Sequence, residues 1–388
     1  NPPQAAPNPP QAAPNPPQTS SGTSLQTALN TLTNSQVQQM QFVHAEPYSS
    51  YLTVGLEQMD IIFDMVSRKA SGCPGSREMA SVVADQDFAS ALPLSTQGGT
   101  SAMVHPCRSW VNLGYSQGNV EGQNGLGNYG FTLSGLTGGV DLIDDPTHSL
   151  GVYLGFGTSA LDEHDSVNHE ITSHSFHLGA YGQYVLQSGW ALDGALGYMY
   201  GRSESERVAP DVGAFRGGTA TADFDSHGIY TGLSISRDFA VSTDTVLSPS
   251  FGMVYSHLRQ EGFAENGARD FNFDVDATEA DALVASIGLD VSRHFQTTGG
   301  RTWSLDGMIR YHHDSSAARS DKHEITVRSP LVGSVTQIGQ NRGSDGLSIG
   351  IGASGHLNEN TTFGVGYAHT WDTNGDENAL TANISVTW

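Results

Sequence analysis

The chain has 388 residues and a formal net charge of −23, with 40 acidic residues against 17 lysines and arginines. This acidity argues against a nucleic-acid partner, whose phosphates would be repelled. No run of about 18 apolar residues occurs, so the sequence predicts no transmembrane helix. A membrane protein without such a helix would have to be a closed β-barrel, because only that form satisfies its backbone without water.

Residues 1–22 repeat the motif NPPQAAP. A segment of this composition cannot bury a core, so we expect an extended, polyproline-like linker or stalk. The chain does not open with a basic region followed by an apolar core. We therefore expect either that a signal peptide has been removed or that the sequence is the C-terminal part of something longer.

Residues 23–70 are almost free of glycine and are patterned for helix. Thr23 or Ser24 can cap a first helix, and Pro47 should break the pattern or start a second helix. Both helices are too polar to face lipid, so they fit either a polar interior or the surface of a soluble protein. The polar residues assigned to this helical segment are Gln38, Gln39, Gln41, Glu57 and Asp60.

Residues 71–107 form an irregular connector bracketed by the two cysteines, Cys73 and Cys107. In an exported protein, an even pair of cysteines is more often a disulfide than two separate thiols. If the pair is bridged, the chain-entropy estimate gives a stabilisation of about 3–4 kcal/mol.

Twelve segments with strand character predict an all-β domain over residues 108–388. The predicted strands are 108–117, 129–142, 149–159, 175–186, 190–203, 221–240, 245–260, 280–294, 301–313, 346–356, 361–371 and 378–388. Most have one aliphatic or aromatic face and one face that carries glycine or charge; Phe176 and Leu178, for example, oppose His177 and Gly179. Such strands fit a soluble sandwich or a membrane barrel, whose strands need about 9–11 residues to cross.

The lengths of the connections favour the barrel. Short gaps such as QSG and LNEN alternate with longer ones, which are 118–128, 160–174, 204–220, 261–279, 314–345 and the shorter 372–377. A membrane barrel has short periplasmic turns and long external loops, whereas a soluble sandwich has no reason to alternate them. The sequence therefore predicts a 12-stranded antiparallel transmembrane β-barrel.

The second and the last strands have features of their own. In the second strand the apolar phase changes between Leu133 and Leu136, which we interpret as a bulge. The last strand, in the stretch ALTANISVTW, alternates without a break up to the final residue. Its apolar face consists of Leu380, Ala382, Ile384, Val386 and Trp388.

Catalytic and cofactor signals are weak. The match to G-x-S-x-G at 346–350 lies in a glycine-rich strand without the helix that a hydrolase elbow needs. Histidines 164, 169, 174 and 177 cluster with Asp162, Glu163, Asp165 and Glu170 near a predicted external loop, at spacings that fit no established metal site. We therefore expect no enzyme activity, no cofactor and no metal. The alternatives are a barrel protease or phospholipase using His312, His313 and Asp314, and a plain porin or adhesin barrel.

Over roughly residues 30–388 the chain resembles the C-terminal translocator domain of the type Va autotransporters of Gram-negative bacteria. The resemblance is carried by the pre-barrel helix ending DIIFDMVSRK, the strand RSWVNLGYSQG, the paired strands SFHLGAYGQYVLQSGWALDGALGYMYGRSESER and the ending LTANISVTW. It implies an outer-membrane barrel whose pore holds the helical segment 23–70 as linker and plug. An upstream passenger would pass through the lumen, and the Pro-rich repeat would lie at the cell surface.

The resemblance also implies partners. The barrel-assembly machinery would read the apolar face of the last strand, including Trp388, as an assembly signal. The other expected partners are the chain's own passenger and the lipid and lipopolysaccharide of the outer membrane, around a monomeric barrel. Some relatives cut off the passenger at adjacent asparagines in the pore helix. Here Asn30 and Asn34 are separated, so we do not expect self-cleavage by that route.

Overall fold

The computed structural model describes residue 28 and residues 30–40, 44–70, 109–123, 126–144, 147–163, 168–296, 302–316, 323–331 and 333–387. Two α-helices, α1 (Asn34–Met40) and α2 (Glu46–Ala70), precede the strands. The strands are β1 (Ser109–Val120), β2 (Tyr129–Asp144), β3 (His148–Glu163), β4 (Asn168–Val185), β5 (Trp190–Ala209), β6 (Gly218–Arg237), β7 (Phe239–Ser242), β8 (Thr245–Gln260), β9 (Phe263–Ala264), β10 (Asp274–Val275), β11 (Thr278–Gln296), β12 (Thr302–Asp314), β13 (Glu324–Ser329), β14 (Gly333–Ile338), β15 (Asp345–Asn358), β16 (Thr361–Asp372) and β17 (Gly375–Val386).

Twelve of the described strands close into one antiparallel barrel, which confirms the predicted fold. The hydrogen-bonded order is β1-β2-β3-β4-β5-β6-β8-β11-β12-β15-β16-β17, and β17 pairs with β1 to close the ring. Closure leaves no exposed sheet edge within the membrane. The four short strands β9, β10, β13 and β14 form a separate sheet from the two longest external connections.

The outer wall is apolar, as alternation predicts. Leu113, Phe156, Leu196 and Ile351 are each more than half exposed, although they are among the most hydrophobic residues of their strands. Exposure of large apolar side chains on every strand makes sense against lipid and is unfavourable against water. The lumen side carries glycine, serine and charged groups instead.

The predicted bulge in the second strand is wrong. Pairing of β2 with β1 and with β3 continues without a register shift from Leu133 to Leu136, and the irregularity lies between Asp141 and Ile143. Leu133 faces inward and is buried, whereas Leu136 faces lipid. The inward-facing Leu133 is apolar because the lumen at this level is filled by apolar side chains rather than water. In the sequence, this residue therefore looked like a shift in the alternation of apolar and polar positions.

Several strands are longer than predicted, and the largest extensions are at the extracellular end. Segments 160–174 and 204–220 were expected to be loops, but β3 and β4 pair up to Glu163 and His169, and β5 and β6 pair up to Ala209 and Gly218. Their outward faces carry charges such as Glu204 and Glu206 at these levels, so these hairpins rise above the apolar band into water. Polar outward residues concealed the strand character.

Helix α2 lies inside the barrel with its first turn at the extracellular mouth. Pro47 stands in the first turn, where its missing N–H costs no helical hydrogen bond, and Glu46 favours the positive end of the helix. Near the other end, Asn112 Nδ2 donates to the Met65 carbonyl at 2.6 Å, close to the periplasmic start of β1. Among the residues that the structure describes, no helix is long and apolar enough to cross a membrane.

A glycine lets α2 approach the barrel wall closely. A Cβ added at Gly55 would lie 2.5 Å from Leu258 Cδ2 on β8, so a larger residue there would require the Leu258 side chain to shift. The short α1 begins with a reciprocal cap in which the Thr33 N–H donates to Gln36 Oε1 at 2.9 Å. The predicted caps Thr23 and Ser24 lie outside the described residues.

The plugged lumen as candidate functional site

Helix α2 divides the lumen into two unlike parts. We call β1–β6 the helix-backed half, because α2 packs against each of these strands. We call β12, β15, β16 and β17 the channel half, because a cavity of about 370 Å³ separates most of their inner surface from the helix. Strands β8 and β11 border both halves, since each packs against α2 and also lines the cavity.

The helix-backed half holds α2 by apolar packing. The helix contributes Leu52, Leu56, Met59, Ile62, Met65 and Val66, and the barrel contributes Trp110, Tyr153, Tyr181, Met199, Tyr230 and Leu258. The aromatic groups are satisfied among themselves: Trp110 Nε1 donates to the Tyr181 hydroxyl at 2.8 Å, and the Tyr153 hydroxyl donates to that of Tyr230 at 2.9 Å. This half therefore excludes water and fits the shape of the helix.

The opposite face of α2 is polar. Glu57, Asp60 and Asp64 are spaced i, i+3 and i+7, which places them on one side of a helix, and all three line the cavity. The barrel contributes Asp290, Arg310, His312, Asp372 and Glu377 to the same cavity. The helix thus turns its charged side to the channel half.

Arg342 closes the extracellular end of this cavity. Its guanidinium donates to Glu57 on the helix at 2.8 Å and to Glu377 on β17 at 2.6 Å, and it also pairs with Asp372 on β16. His312 Nε2 lies 3.1 Å from the other oxygen of Asp372. We call these five residues the arginine clamp, since one cation joins the helix to two strands of the wall.

The backbone around Arg342 reinforces the clamp. The Gln340 N–H donates to Ser50 Oγ at 2.8 Å, and Thr53 Oγ1 donates to the Gln340 carbonyl at 3.0 Å. A Cβ on Gly339 would lie 2.3 Å from the Ser50 nitrogen, so the connection between β14 and β15 touches the helix backbone directly. This connection folds back into the mouth and rests on the first two turns of α2.

A second buried ion pair fixes the mouth on the other side. Arg207 on β5 donates to both oxygens of Glu265 at 2.6 and 3.0 Å, and both side chains are 0% exposed. Tyr48 in the first turn of α2 donates to the same carboxylate at 2.8 Å. Because breaking a buried pair leaves an uncompensated charge, this arrangement fixes where the helix starts.

Two histidines beside Arg207 are kept neutral. His169, which lies above the apolar band, is within 2.8 Å of Ser205 Oγ and packs edge-on against the Tyr48 ring. Burial, together with the charge of Arg207, holds the pKa of His169 well below its usual range. The same two causes lower the pKa of His44 to about 4. A proton on either ring would add positive charge beside a buried guanidinium.

The predicted pore-helix residues fall in different places. Glu57 and Asp60 lie on α2 and face the cavity. Gln38 and Gln39 lie on the separate α1 and are exposed, so they are not on the helix that fills the pore. Gln41, Cys73, Cys107 and Trp388 lie outside the described residues. Leu380, Ala382, Ile384 and Val386 share the lipid-facing side of β17.

The residues considered for catalysis or metal binding do not converge. His169 and His177 are buried inside the barrel, whereas His174 and Glu170 point outward from the same strand. His312 faces the lumen and pairs with Asp372, whereas His313 faces outward and pairs with Asp345. Ser348 of the G-x-S-x-G match bonds Thr370 on the next strand at 2.8 Å. Within the described residues, no group of three His, Cys, Asp or Glu side chains is placed to hold a metal.

Sequence reasoning missed Arg342, Arg207 and Glu265. These residues come from external connections and strand ends, where no periodicity marks an inward direction. The only available signal was the scarcity of basic residues, since any arginine in so acidic a chain has many possible partners.

The fold and the site define a class of protein: a 12-stranded barrel with an apolar outer band and a lumen occupied by its own N-terminal helix. The chain matches the Autotransporter beta-domain family over residues 109–368 and belongs to it. It is an outer-membrane translocator domain of an autotransporter, as the resemblance implied.

Solved structures show the same fold. The translocator domain of the autotransporter NalP from Neisseria meningitidis aligns with a TM-score of 0.57 at 16% identity, covering 81% of this chain and 98% of that one. The beta domain of the Bordetella autotransporter BrkA aligns with a TM-score of 0.52 at 15% identity, covering 73% of this chain and all of the other.

Curated relatives are much longer proteins. An extracellular serine protease of Serratia marcescens is 27% identical over 285 residues, which is 72% of this chain but 26% of that protein. Outer membrane protein B of Rickettsia conorii is 21% identical over 309 residues, or 76% of this chain and 18% of that protein. The chain therefore spans about a quarter or less of the length of these relatives.

Proposed function

We propose that this barrel exports an upstream passenger through its lumen, anchors it at the cell surface, and then keeps α2 in the pore as linker and plug. The observation that carries the proposal is the direction and fit of α2. Its first turn lies at the extracellular mouth and its last turns lie near the periplasmic start of β1. A chain that leaves α2 in the N-terminal direction therefore leads toward the cell exterior, where a passenger would be displayed.

The two kinds of contact on α2 support a plug that remains after export. Apolar packing fills one half of the lumen, and the arginine clamp ties the other side of the helix to β16 and β17. A segment that only passed through would have no reason to match both surfaces. Division of the chain into a stalk at 1–22, a plug at 23–70 and a connector at 71–107, with a Cys73–Cys107 disulfide, belongs to the same proposal.

We also propose that the barrel itself is not an enzyme, and that any catalytic activity lies in the passenger. The histidines and carboxylates that could have acted together point to opposite faces of their strands. The remaining proposed partners are lipopolysaccharide and the barrel-assembly machinery, which would recognise Leu380, Ile384 and Trp388. We propose that the barrel works as a monomer.

Two measurements test this proposal. The first compares unheated and boiled samples of the detergent-refolded chain on SDS gels, with and without residues 1–69, and records single-channel conductance. We expect a faster-migrating unheated band in both proteins and a higher conductance for the deletion. A deletion that conducts no better than the full chain would rule out the plug.

The second measurement concerns export. An epitope fused before Asn1 should be reached by antibody and protease on intact cells, while a control lacking residues 379–388 should not display it. Display of the epitope on the periplasmic side alone would overturn the proposed direction of export.

A further inference from the structure

The outer wall carries a repeated arrangement at the extracellular limit of its apolar band. Strands β5, β8, β12 and β16 are outgoing strands, which run from the periplasmic to the extracellular side; the strand that follows each of them in the barrel returns. Each of the four has a tyrosine followed two residues later by a basic side chain. The pairs are Tyr200 with Arg202, Tyr255 with His257, Tyr311 with His313, and Tyr367 with His369. Both members point outward because side chains two apart share a face. The tyrosine numbers differ by 55, 56 and 56, so the arrangement returns once per pair of strands.

In β8 and β11 the pair meets one oxygen of the returning strand. The Tyr255 hydroxyl donates to Asp281 Oδ1 at 2.7 Å, and His257 Nδ1 lies 2.8 Å from the same atom. His257 and Asp281 are direct cross-strand partners. This geometry needs no loop, because the strand register alone brings the three groups together.

The next pair of strands repeats the geometry. Asp345 on β15 is the cross-strand partner of His313, whose Nδ1 lies 3.0 Å from Asp345 Oδ1. The Tyr311 hydroxyl donates to the same oxygen. Two of the three groups, His313 and Asp345, are almost half exposed. This site therefore faces the surroundings of the barrel rather than its core.

The third copy has an amide, that of Asn378, where the first two have an aspartate. Asn378 Oδ1 accepts from the Tyr367 hydroxyl at 2.7 Å and lies 3.0 Å from His369 Nδ1. With the amide oxygen as the acceptor, His369 Nδ1 is the donor of this contact. In the neutral ring, Nε2 is then a hydrogen-bond acceptor, and in the protonated ring it is a donor. Each copy with histidine has this second ring atom available for recognition.

The copy on β5 has a permanent cation. Arg202 and Asp225 are cross-strand partners, as His257 and Asp281 are. The Arg202 side chain is 64% exposed and lies 3.9 Å from Asp223. Guanidinium groups form bidentate contacts with phosphate, so this copy presents a phosphate-binding group in the sequence position where the other three copies have an imidazole.

We propose that these four copies form a ring that binds the headgroup of lipopolysaccharide. The inference rests on the proposed partnership with lipopolysaccharide and assigns it to residues. Imidazole Nε2 and the tyrosine and carboxylate oxygens match the hydroxyl and amide donors of a glucosamine headgroup. Its phosphates meet Arg202, and divalent cations bridge phosphate to aspartate elsewhere on an outer rim that is rich in carboxylates. A phospholipid headgroup offers far fewer hydroxyl donors to such a ring.

The experiment uses the full chain in phospholipid nanodiscs with Mg²⁺ and added lipopolysaccharide, and counts retained molecules by native mass spectrometry. The test variant combines Arg202→Ser, His257→Ser, His313→Ser and His369→Ser. The matched control is His148→Ser, an exposed histidine at the periplasmic end. We expect several-fold less retained lipopolysaccharide for the test variant and for wild type in EDTA, with the control unchanged.

Three results decide between the alternatives. Equal retention by wild type and the test variant would overturn the ring, because the residues would then only brace neighbouring strands. No retention by wild type would overturn the partnership itself, and it would leave passenger export as a separate question. If the serine variant lacks the faster unheated gel band, the three histidines are changed to asparagine. The asparagine side chains can still donate a hydrogen bond to the acceptor oxygen on the neighbouring strand, but they lack the Nε2 atom of histidine. The same loss of lipopolysaccharide is therefore expected.

Discussion

The helix-backed half and the channel half hold the same helix by different forces. In the first, inward side chains such as Tyr153 and Tyr230 are buried under α2 and make no charged contact with it. In the second, the inward Arg310 keeps about a third of its side chain exposed to the cavity. The difference teaches that apolar packing fixes how deep α2 lies in the barrel. The charged contacts of the arginine clamp determine whether the cavity beside α2 is closed at its extracellular end. Predictions that alter one half and not the other can test this division.

The largest effect is expected from the arginine clamp. Arg342→Gln would leave Glu57, Asp372 and Glu377 close together without their cation, and breaking a buried ion pair in this way costs about 3–5 kcal/mol. We expect a lower midpoint of denaturant unfolding and a higher conductance, because the extracellular end of the cavity would open.

Arg310→Gln is the matched control for the clamp. Arg310 faces the same cavity, but its contact with Asp64 is longer, at 3.7 Å, and both side chains are more than a third exposed. Exposed pairs contribute at most about 1 kcal/mol. Equal losses for the two variants would mean that net charge in the lumen, rather than the clamp, holds the plug.

The contrast between the halves also explains what the sequence could predict. Alternation along the strands identified the lipid face, since Leu178 and Leu196 meet lipid whatever lies inside. Alternation could not predict the inner surface, because inward residues pack against α2 in one half and line the water-filled cavity in the other. Leu133 and Leu136 looked like a phase error for this reason: both are apolar, but only the first packs against residues around the plug.

The clamp was beyond prediction for a related reason. Glu57 could be recognised as a polar position on a helix, but its partner Arg342 lies almost 300 residues away in the connection before β15. Charge pairing over that distance depends on the closed barrel, which brings β17 beside β1 and so places Glu377 opposite the helix. Local patterns predicted the closed barrel but not which side chains its closure brings together.

An intermediate effect is expected from adding bulk to the helix-backed half. A Cβ at Gly135 on β2 would lie 2.5 Å from Met65 Cε and 2.9 Å from Ile62 Cδ1. Gly135→Leu therefore overfills a packed interface, which typically costs about 1–3 kcal/mol. We expect α2 to shift toward the cavity, with increased hydrogen exchange in its last turns.

Gly352→Leu provides the comparison on the channel half. A Cβ there would lie 3.1 Å from the Val365 carbonyl oxygen and 3.8 Å from Asp306 Cβ, with no contact to the helix. We expect the exchange rates of α2 to stay at wild-type values. If Gly352→Leu mobilises the helix as much as Gly135→Leu does, then the two halves do not differ in how closely they fit it.

The smallest effect is expected from acid at the mouth of the helix-backed half. His44 has a pKa lowered to about 4 by burial and by Arg207, and the pKa of His169 is lowered by the same causes. An unfolded histidine titrates near about 6.5, so the opened mouth binds more protons than the closed one as pH falls below that value. The stability that neutral histidines contribute is complete above about pH 6.5 and is lost progressively toward pH 4. The hydrogen-exchange protection factors of the first turn of α2 should therefore fall as the pH is lowered from 7 to 5, while those of its last turns, next to Asn112, should not change. His169→Asn would remove part of this response without removing the hydrogen-bonding group, and an unchanged pH profile in that variant would show that the mouth is held by the Arg207–Glu265 pair alone.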